Sequence, residues 1–320
     1  MQATLKLKIF LFFILTTLTL TSYTAPLHPL KGNSSGYVQV EQGKLFYQKF
    51  GSGTPIIVLH GGPGLDQSYL LPQMLDLAKD HEVIFYDQRG SGKSLETRID
   101  PSYINITQFT KDLEELRKQL KLDKFILLGH SWGGLLAMNY SVTYPDHLAG
   151  LILLSTAPAD FKGQQAFVTE FTKRTQPIKN EIGPLSNYQE FEKLNAFEIS
   201  KLYRTLFSVY FYNPRKVEDL TLNMPEVSAK SGANVLEIMS KTSWLIPDTN
   251  LFPQLKKITV PTLIIHGKED IVPLWTAEEI KKAIPHAQIA SIEKCGHFPY
   301  IEKPDQMFSQ IRYFLTTIDQ

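Results

Sequence analysis

The chain has 320 residues, 43% hydrophobic and 20% charged, which is ordinary for a globular protein and leaves room for one large domain carrying an insertion. Disordered and fibrous classes are excluded by the same numbers. Thirty-three basic residues against 32 acidic ones give a net charge of +1, with no basic run long enough to draw nucleic acid, so a small-molecule or short-peptide substrate is expected.

At the N-terminus, Lys6 and Lys8 precede an apolar and threonine-rich run from Ile9 to Leu20, followed by Thr21-Ser22-Tyr23-Thr24-Ala25. This layout predicts a secretory signal peptide over residues 1–25, since the run is short for a bilayer span. Export to the periplasm or outside the cell is expected. An uncleaved N-terminal segment is the alternative and the one membrane contact anticipated. Cys295 is the only cysteine, so no internal disulfide can form.

From Gly36 onward, β-rich runs alternate with helical periodicity. Tyr37 to Val40 and Lys44 to Phe50, around a Glu-Gln-Gly turn, predict an opening hairpin. Pro55 to Leu59, Glu82 to Tyr86, Phe125 to Leu128 and Gly150 to Leu154 are apolar throughout, as strands buried on both faces of a parallel sheet must be. Phe109, Leu113, Leu116 and Leu120 share one helical face, with Lys111, Glu114, Glu115 and Lys118 expected on the solvent side. After Ser155 the alternation stops for roughly ninety residues rich in aromatics and charges. Strands resume at Val260 to Ile265 and His286 to Ile292, and a last helix turns Phe308, Ile311 and Phe314 inward. The predicted architecture is α/β: a mostly parallel sheet with helices on both faces, its core in residues 36–157 and 250–320, and a helical cap inserted at 158–249.

Gly129-His130-Ser131-Trp132-Gly133 directly follows one predicted strand and directly precedes a helix. A G-x-S-x-G at such a junction is a nucleophile elbow, which marks an α/β-hydrolase fold and makes Ser131 the candidate nucleophile. A serine hydroxyl needs a base, and the base needs an orienting carboxylate; chain order in this fold is serine, acid, histidine. Asp270 and its neighbour Glu269 both follow the strand ending at Ile265, on the sheet edge where such folds bind ligands. Of eight histidines, His297 lies in a loop at that edge and downstream of the acid, whereas His286 is expected to start a strand and His130 to pack beside the nucleophile. Oxyanion donors are expected from Trp132 N–H, after the nucleophile, and from Gly62 N–H in His60-Gly61-Gly62-Pro63-Gly64. This chemistry requires no metal and no organic cofactor.

His60-Gly61-Gly62-Pro63-Gly64, Asp87-Gln88-Arg89-Gly90-Ser91-Gly92-Lys93-Ser94 and Gly129-His130-Ser131-Trp132-Gly133-Gly134 together resemble the proline iminopeptidase (prolyl aminopeptidase) family of α/β-hydrolases, over residues 37–158 and 255–318. The resemblance implies a triad of Ser131, Asp270 and His297, an oxyanion hole from Gly62 and Trp132, and release of an N-terminal residue, usually proline, from short peptides. Asp87 and Arg89 are expected to brace the surrounding loops. Members of that family hold the substrate's α-amine with cap glutamates. Here Ser243-Trp244 stands where a glutamate after an asparagine is expected, and Glu190, Glu192, Glu198 and Glu237 are the substitute candidates. Two other functions compete: a carboxylic-ester hydrolase using the same triad, with cap aromatics lining an acyl pocket, and a non-catalytic binder on a hydrolase scaffold, against which a complete triad argues.

Overall fold

A computed structural model describes residues 33–222 and 224–318; the predicted signal peptide, residues 1–25, lies outside the described residues. Strands β1 (Ser34–Val40) and β2 (Gly43–Gly51) form the expected antiparallel hairpin. β3 (Pro55–Leu59), β4 (Glu82–Tyr86), β5 (Phe125–His130), β6 (Leu148–Leu154), β7 (Thr262–Gly267) and β8 (Gln288–Ile292) complete one sheet in the order β1-β2-β4-β3-β5-β6-β7-β8. β2 pairs antiparallel with β4, and every pairing from β4 to β8 is parallel. The chain runs from β3 outward to β4 and then returns to β5 on the other side of β3. That reversal opens a crevice between the loops after β3 and β5, where ligands bind in open α/β sheets.

The central strands alternate strictly in which layer they feed. Val58, Phe85, Leu128, Leu154 and Ile265 point into one apolar layer; Ile57, Ile84, Leu127, Leu153 and Ile264 point into the other. Both layers are apolar and buried, which is why these strands carry no polar alternation. The longer helices are α1 (Ile106–Gln119), α2 (Trp132–Thr143), α3 (Phe161–Thr175), α4 (Ala196–Ser208), α5 (Glu226–Met239), α6 (Leu274–Ala283) and α7 (Pro304–Ile318). α1, α2 and α6 cover one face and α7 the other, with Phe308, Ile311 and Phe314 buried as expected.

Two local expectations are corrected. Glu114 is buried, because α1 turns it towards α2, where its carboxylate takes hydrogen bonds from Arg117 and from Tyr140 Oη at 2.8 Å. His286 does not start a strand: it sits at φ +65° in the turn before β8.

Helices α3, α4 and α5 lie between β6 and β7. Their segment leaves and rejoins the sheet through a short neck, in which Leu251 N–H donates to Ala159 O and Phe161 N–H to Thr249 O, with a bridge between Asp160 and Asn250.

Candidate active site

β5 ends at His130, and Ser131 follows at φ +57°, ψ −122°, a conformation a serine adopts only where its surroundings impose it. Here they do. Ser131 N–H donates to Leu154 O on β6, and Ser131 O accepts from Ala157 N–H and Gly134 N–H. α2 then begins so close to β3 that a Cβ on Gly133 would stand 2.4 Å from Leu59 O, so only glycine fits.

β7 and β8 bring the other two residues of the predicted triad. His297, in the loop after β8, has its Nδ1 2.8 and 3.0 Å from the two carboxylate oxygens of Asp270. Nδ1–H therefore donates to Asp270 and leaves Nε2 as the nitrogen free to act as a base. Asp270 is fully enclosed. Burial alone would raise its carboxyl, but the neighbouring His297 and His266, with hydrogen bonds from His297 and Val272 N–H, hold it below the usual carboxylate range. Glu269, the competing carboxylate, is turned away to accept from Cys295 N–H at 2.9 Å.

The sheet register sets Leu59 beside Gly129, so Gly61 runs alongside Ser131; a Cβ on Gly61 would lie 3.0 Å from Ser131 Cβ. Gly61 N–H is committed to Tyr69 Oη at 2.7 Å, whereas the N–H groups of Gly62, at φ +123°, and of Trp132, the first residue of α2, have no acceptor among the described residues. The loop is braced from behind by Gln88. Its N–H donates to His60 Nε2, its side-chain amide to His60 O at 2.7 Å, and its Oε1 accepts from Trp132 Nε1 at 3.0 Å. The flanking residues brace further loops: Asp87 accepts from Gln67 and Lys93 N–H, and Arg89 grips Asp112 with two hydrogen bonds of 2.9 and 2.7 Å.

Ser131 and His297 open onto one cavity of about 730 Å³, floored by Gly61 to Leu65 and roofed by the inserted helices. Its walls are largely aromatic, including Phe167, Phe171, Tyr203, Phe207, Tyr210 and Trp244. Of the four candidate glutamates only Glu237 lines it, and its carboxylate is paired with Lys241 at 2.7 Å. Glu190, Glu192 and Glu198 do not line the cavity, and Glu198 is spent on the N-terminus of α4, where it accepts from Asn195 N–H. Phe197 and Tyr212 are exposed, Phe211 packs on Phe298, and none of these three aromatics lines the cavity.

Sequence reasoning missed the polar side chains behind the site: His60, Tyr69 and Gln88. For Gln88 a signal existed, since it stands between Asp87 and Arg89 in the same motif. For Tyr69 none did.

Residues 54–304 match the family profile described as the alpha/beta hydrolase fold. Among relatives, the proline iminopeptidase of Heyndrickxia coagulans is 32% identical over 296 residues, covering 89% of this chain and 99% of that protein. The proline iminopeptidase of Saccharolobus solfataricus is 31% identical over 298 residues, covering 88% and 92%. Among solved structures, an alpha/beta fold family hydrolase from Bacillus anthracis str. Sterne superposes with a TM-score of 0.69 at 22% identity over 89% of this chain and 99% of that one. The proline iminopeptidase of Mycobacterium smegmatis superposes with 0.67 at 21%, over the same shares. The structures speak to the fold; the sequence identities, spread over nearly the whole length of both partners, speak to descent. On those identities the chain belongs to the proline iminopeptidase family of α/β-hydrolases, and it is a hydrolase.

Proposed function

We propose that the protein is a serine hydrolase that removes an N-terminal residue, usually proline, from short peptides through an acyl-enzyme on Ser131. The observation that carries this is the doubly hydrogen-bonded His297–Asp270 pair opening on the same cavity as the strained Ser131. Ser131 Oγ attacks the carbonyl carbon and its proton passes to His297 Nε2. The oxyanion is held by Gly62 and Trp132 N–H. The C–N bond then breaks, and the leaving amine takes the proton from His297. Water attacks the acyl-enzyme by the same route, returning a proton to Ser131. Asp270 stabilises the imidazolium without itself being protonated. The peptide substrate is supported by the relatives' activity and by Glu237, the carboxylate on the cavity wall available to an α-amine.

A second reading, a carboxylic-ester hydrolase, is favoured by one observation: Glu237 already has Lys241 as its partner, and the rest of the wall is mainly aromatic. Turnover of proline arylamide against a short-chain aryl ester separates the two. Arylamide turnover that Ser131→Ala abolishes, and for which Glu237→Gln raises KM, is expected. Turnover of the ester alone would withdraw the aminopeptidase and leave the hydrolase. The charged-then-apolar N-terminus supports export, which N-terminal sequencing of the mature protein tests.

A further inference from the structure

A buried hydrogen-bonded chain runs from the loop after β3 to the loop that carries His297. Gly61 N–H donates to Tyr69 Oη at 2.7 Å, Tyr69 Oη lies 2.7 Å from His130 Nδ1, and His130 Nε2 lies 2.9 Å from the His297 carbonyl oxygen. The two ends settle where the protons are. A backbone N–H can only donate and a carbonyl can only accept. Tyr69 therefore accepts from Gly61 and gives its one proton to His130 Nδ1, while His130 carries its own proton on Nε2 and donates it to His297 O. Both contacts of the ring require the same neutral tautomer. Burial, with the neighbouring His297, pulls the His130 imidazole down to about 3, and burial raises the Tyr69 hydroxyl, so both keep these proton states at neutral pH.

The chain has little freedom to do anything else. Tyr69, His130 and His297 are 2%, 1% and 3% exposed, and the His130 ring stacks on Phe298 with Tyr300 edge-on to it. Its position in the fold is what gives it consequence. Gly61 immediately precedes Gly62, the proposed oxyanion donor; His130 immediately precedes Ser131; and the far end is the main chain of the proposed base. Three loops, after β3, β5 and β8, are thus tied through one side chain on the nucleophile's own strand.

We infer that Tyr69 and His130 are positioning residues, which hold the oxyanion loop and the backbone of His297 in register across Ser131. The inference rests on the reading of Ser131 and His297 given above. It predicts that cutting the chain slows bond formation at Ser131 while leaving ligand binding in the cavity unchanged. A residue that merely fills the core would show its loss in thermal stability alone.

A fluorophosphonate probe reads this without knowledge of the natural substrate, because Ser131 Oγ displaces fluoride from phosphorus, His297 takes the hydroxyl proton, and the phosphonyl oxygen occupies the oxyanion site. Labelling of the wild type and none of Ser131→Ala comes first; failure there overturns the reading and the inference together. With that in place, Tyr69→Phe is expected to lower the maximal phosphonylation rate about ten-fold or more, with the probe's binding constant unchanged within about two-fold. A rate within about two-fold of wild type, or a loss that falls on the binding constant, overturns the inference alone. Should Tyr69→Phe fail to fold, His130→Asn and His130→Gln decide. Asparagine keeps an acceptor for Tyr69 but does not reach His297 O, whereas glutamine keeps a donor for His297 O, so each cuts one link. Both must slow phosphonylation, and either one reacting at the wild-type rate overturns the inference.

Discussion

His60 and His130 are fully buried imidazoles whose hydrogen bonds suit only the neutral ring. In His60, Nδ1–H donates to Gly61 O and Nε2 accepts from Gln88 N–H. Burial holds the two rings down to about 4 and about 3. In the unfolded chain each would titrate near 6.5, so between 6.5 and these values the unfolded state binds more protons. The stability they contribute is complete above pH 6.5 and is lost as pH falls, by about 2 kcal/mol each at pH 5. Asp87 works the other way, since burial and Asp66 push its carboxyl up to about 6; it offsets about 1 kcal/mol of that loss at pH 5. A lower Tm at pH 5 than at pH 7.5 is expected, and the gap should shrink by roughly two-thirds in His130→Gln. An equal or higher Tm at pH 5 would count against it. At the same scale, Asp270→Asn leaves the shape intact but removes the charge that stabilises the imidazolium and sets an amide N–H donor where a carboxylate oxygen faced Nδ1 of His297, favouring the wrong tautomer, and kcat should fall about 10⁴-fold. A loss of under ten-fold in a folded variant would assign the orienting role elsewhere.

Among the elements, α5 and the loop after β3 meet through two glycines. A Cβ on Gly232 would stand 1.9 Å from Gly64 O, and one on Gly64 would stand 2.1 Å from Gly232 O. Gly64 also sits at φ +93°. Gly232→Ala must therefore push α5 away from the loop that offers Gly62 N–H. We expect a loss of about 1–3 kcal/mol from overpacking and, because Gly64 bears directly on α5 two residues from the proposed oxyanion donor Gly62, at least about a ten-fold drop in kcat/KM. Val227→Ala, exposed on the same helix, should change neither stability nor turnover measurably. Wild-type turnover in Gly232→Ala would show that the loop does not depend on α5. The insertion touches the site at other points as well. Arg174 on α3 donates to Asp270 O at 3.0 Å, and His297 N–H donates to Tyr210 O at 2.8 Å.

For the molecule as a whole, one apolar cluster runs from the sheet into the inserted helices. It contains Val58, Leu128 and Leu154 of the strands, Phe298 and Phe308 beyond β8, and Phe191, Ile199, Leu202 and Phe207 of the insertion. Glu302 strengthens the join by accepting from Gly296, Tyr212 and Asn213 N–H. Among the described residues the insertion has no apolar core separate from that of the sheet, so thermal unfolding should be one cooperative transition, with calorimetric and van't Hoff enthalpies in agreement. Two resolved transitions would show the insertion to be an independent unit.

The strands and Ser131 were legible in the sequence because each is encoded locally: a run buried on both faces must be apolar, and a serine forced into a tight strand-to-helix turn needs glycines around it. The inserted helical segment was legible as the place where strand patterning stops. Asp270 against Glu269 was not decided by the residues themselves. Adjacent carboxylates in one loop look alike until β8 is laid beside β7, which turns one towards His297 and the other towards Cys295 N–H. The partners of Glu114 and Glu198 were not legible for the same reason, since a charged residue's partner depends on which helix packs against it. Tyr69 and His130 mark the far end of this range. Gly61, Tyr69, His130 and His297 span more than two hundred positions, and only the order of the sheet, with β5 beside β3, closes them into a single hydrogen-bonded chain.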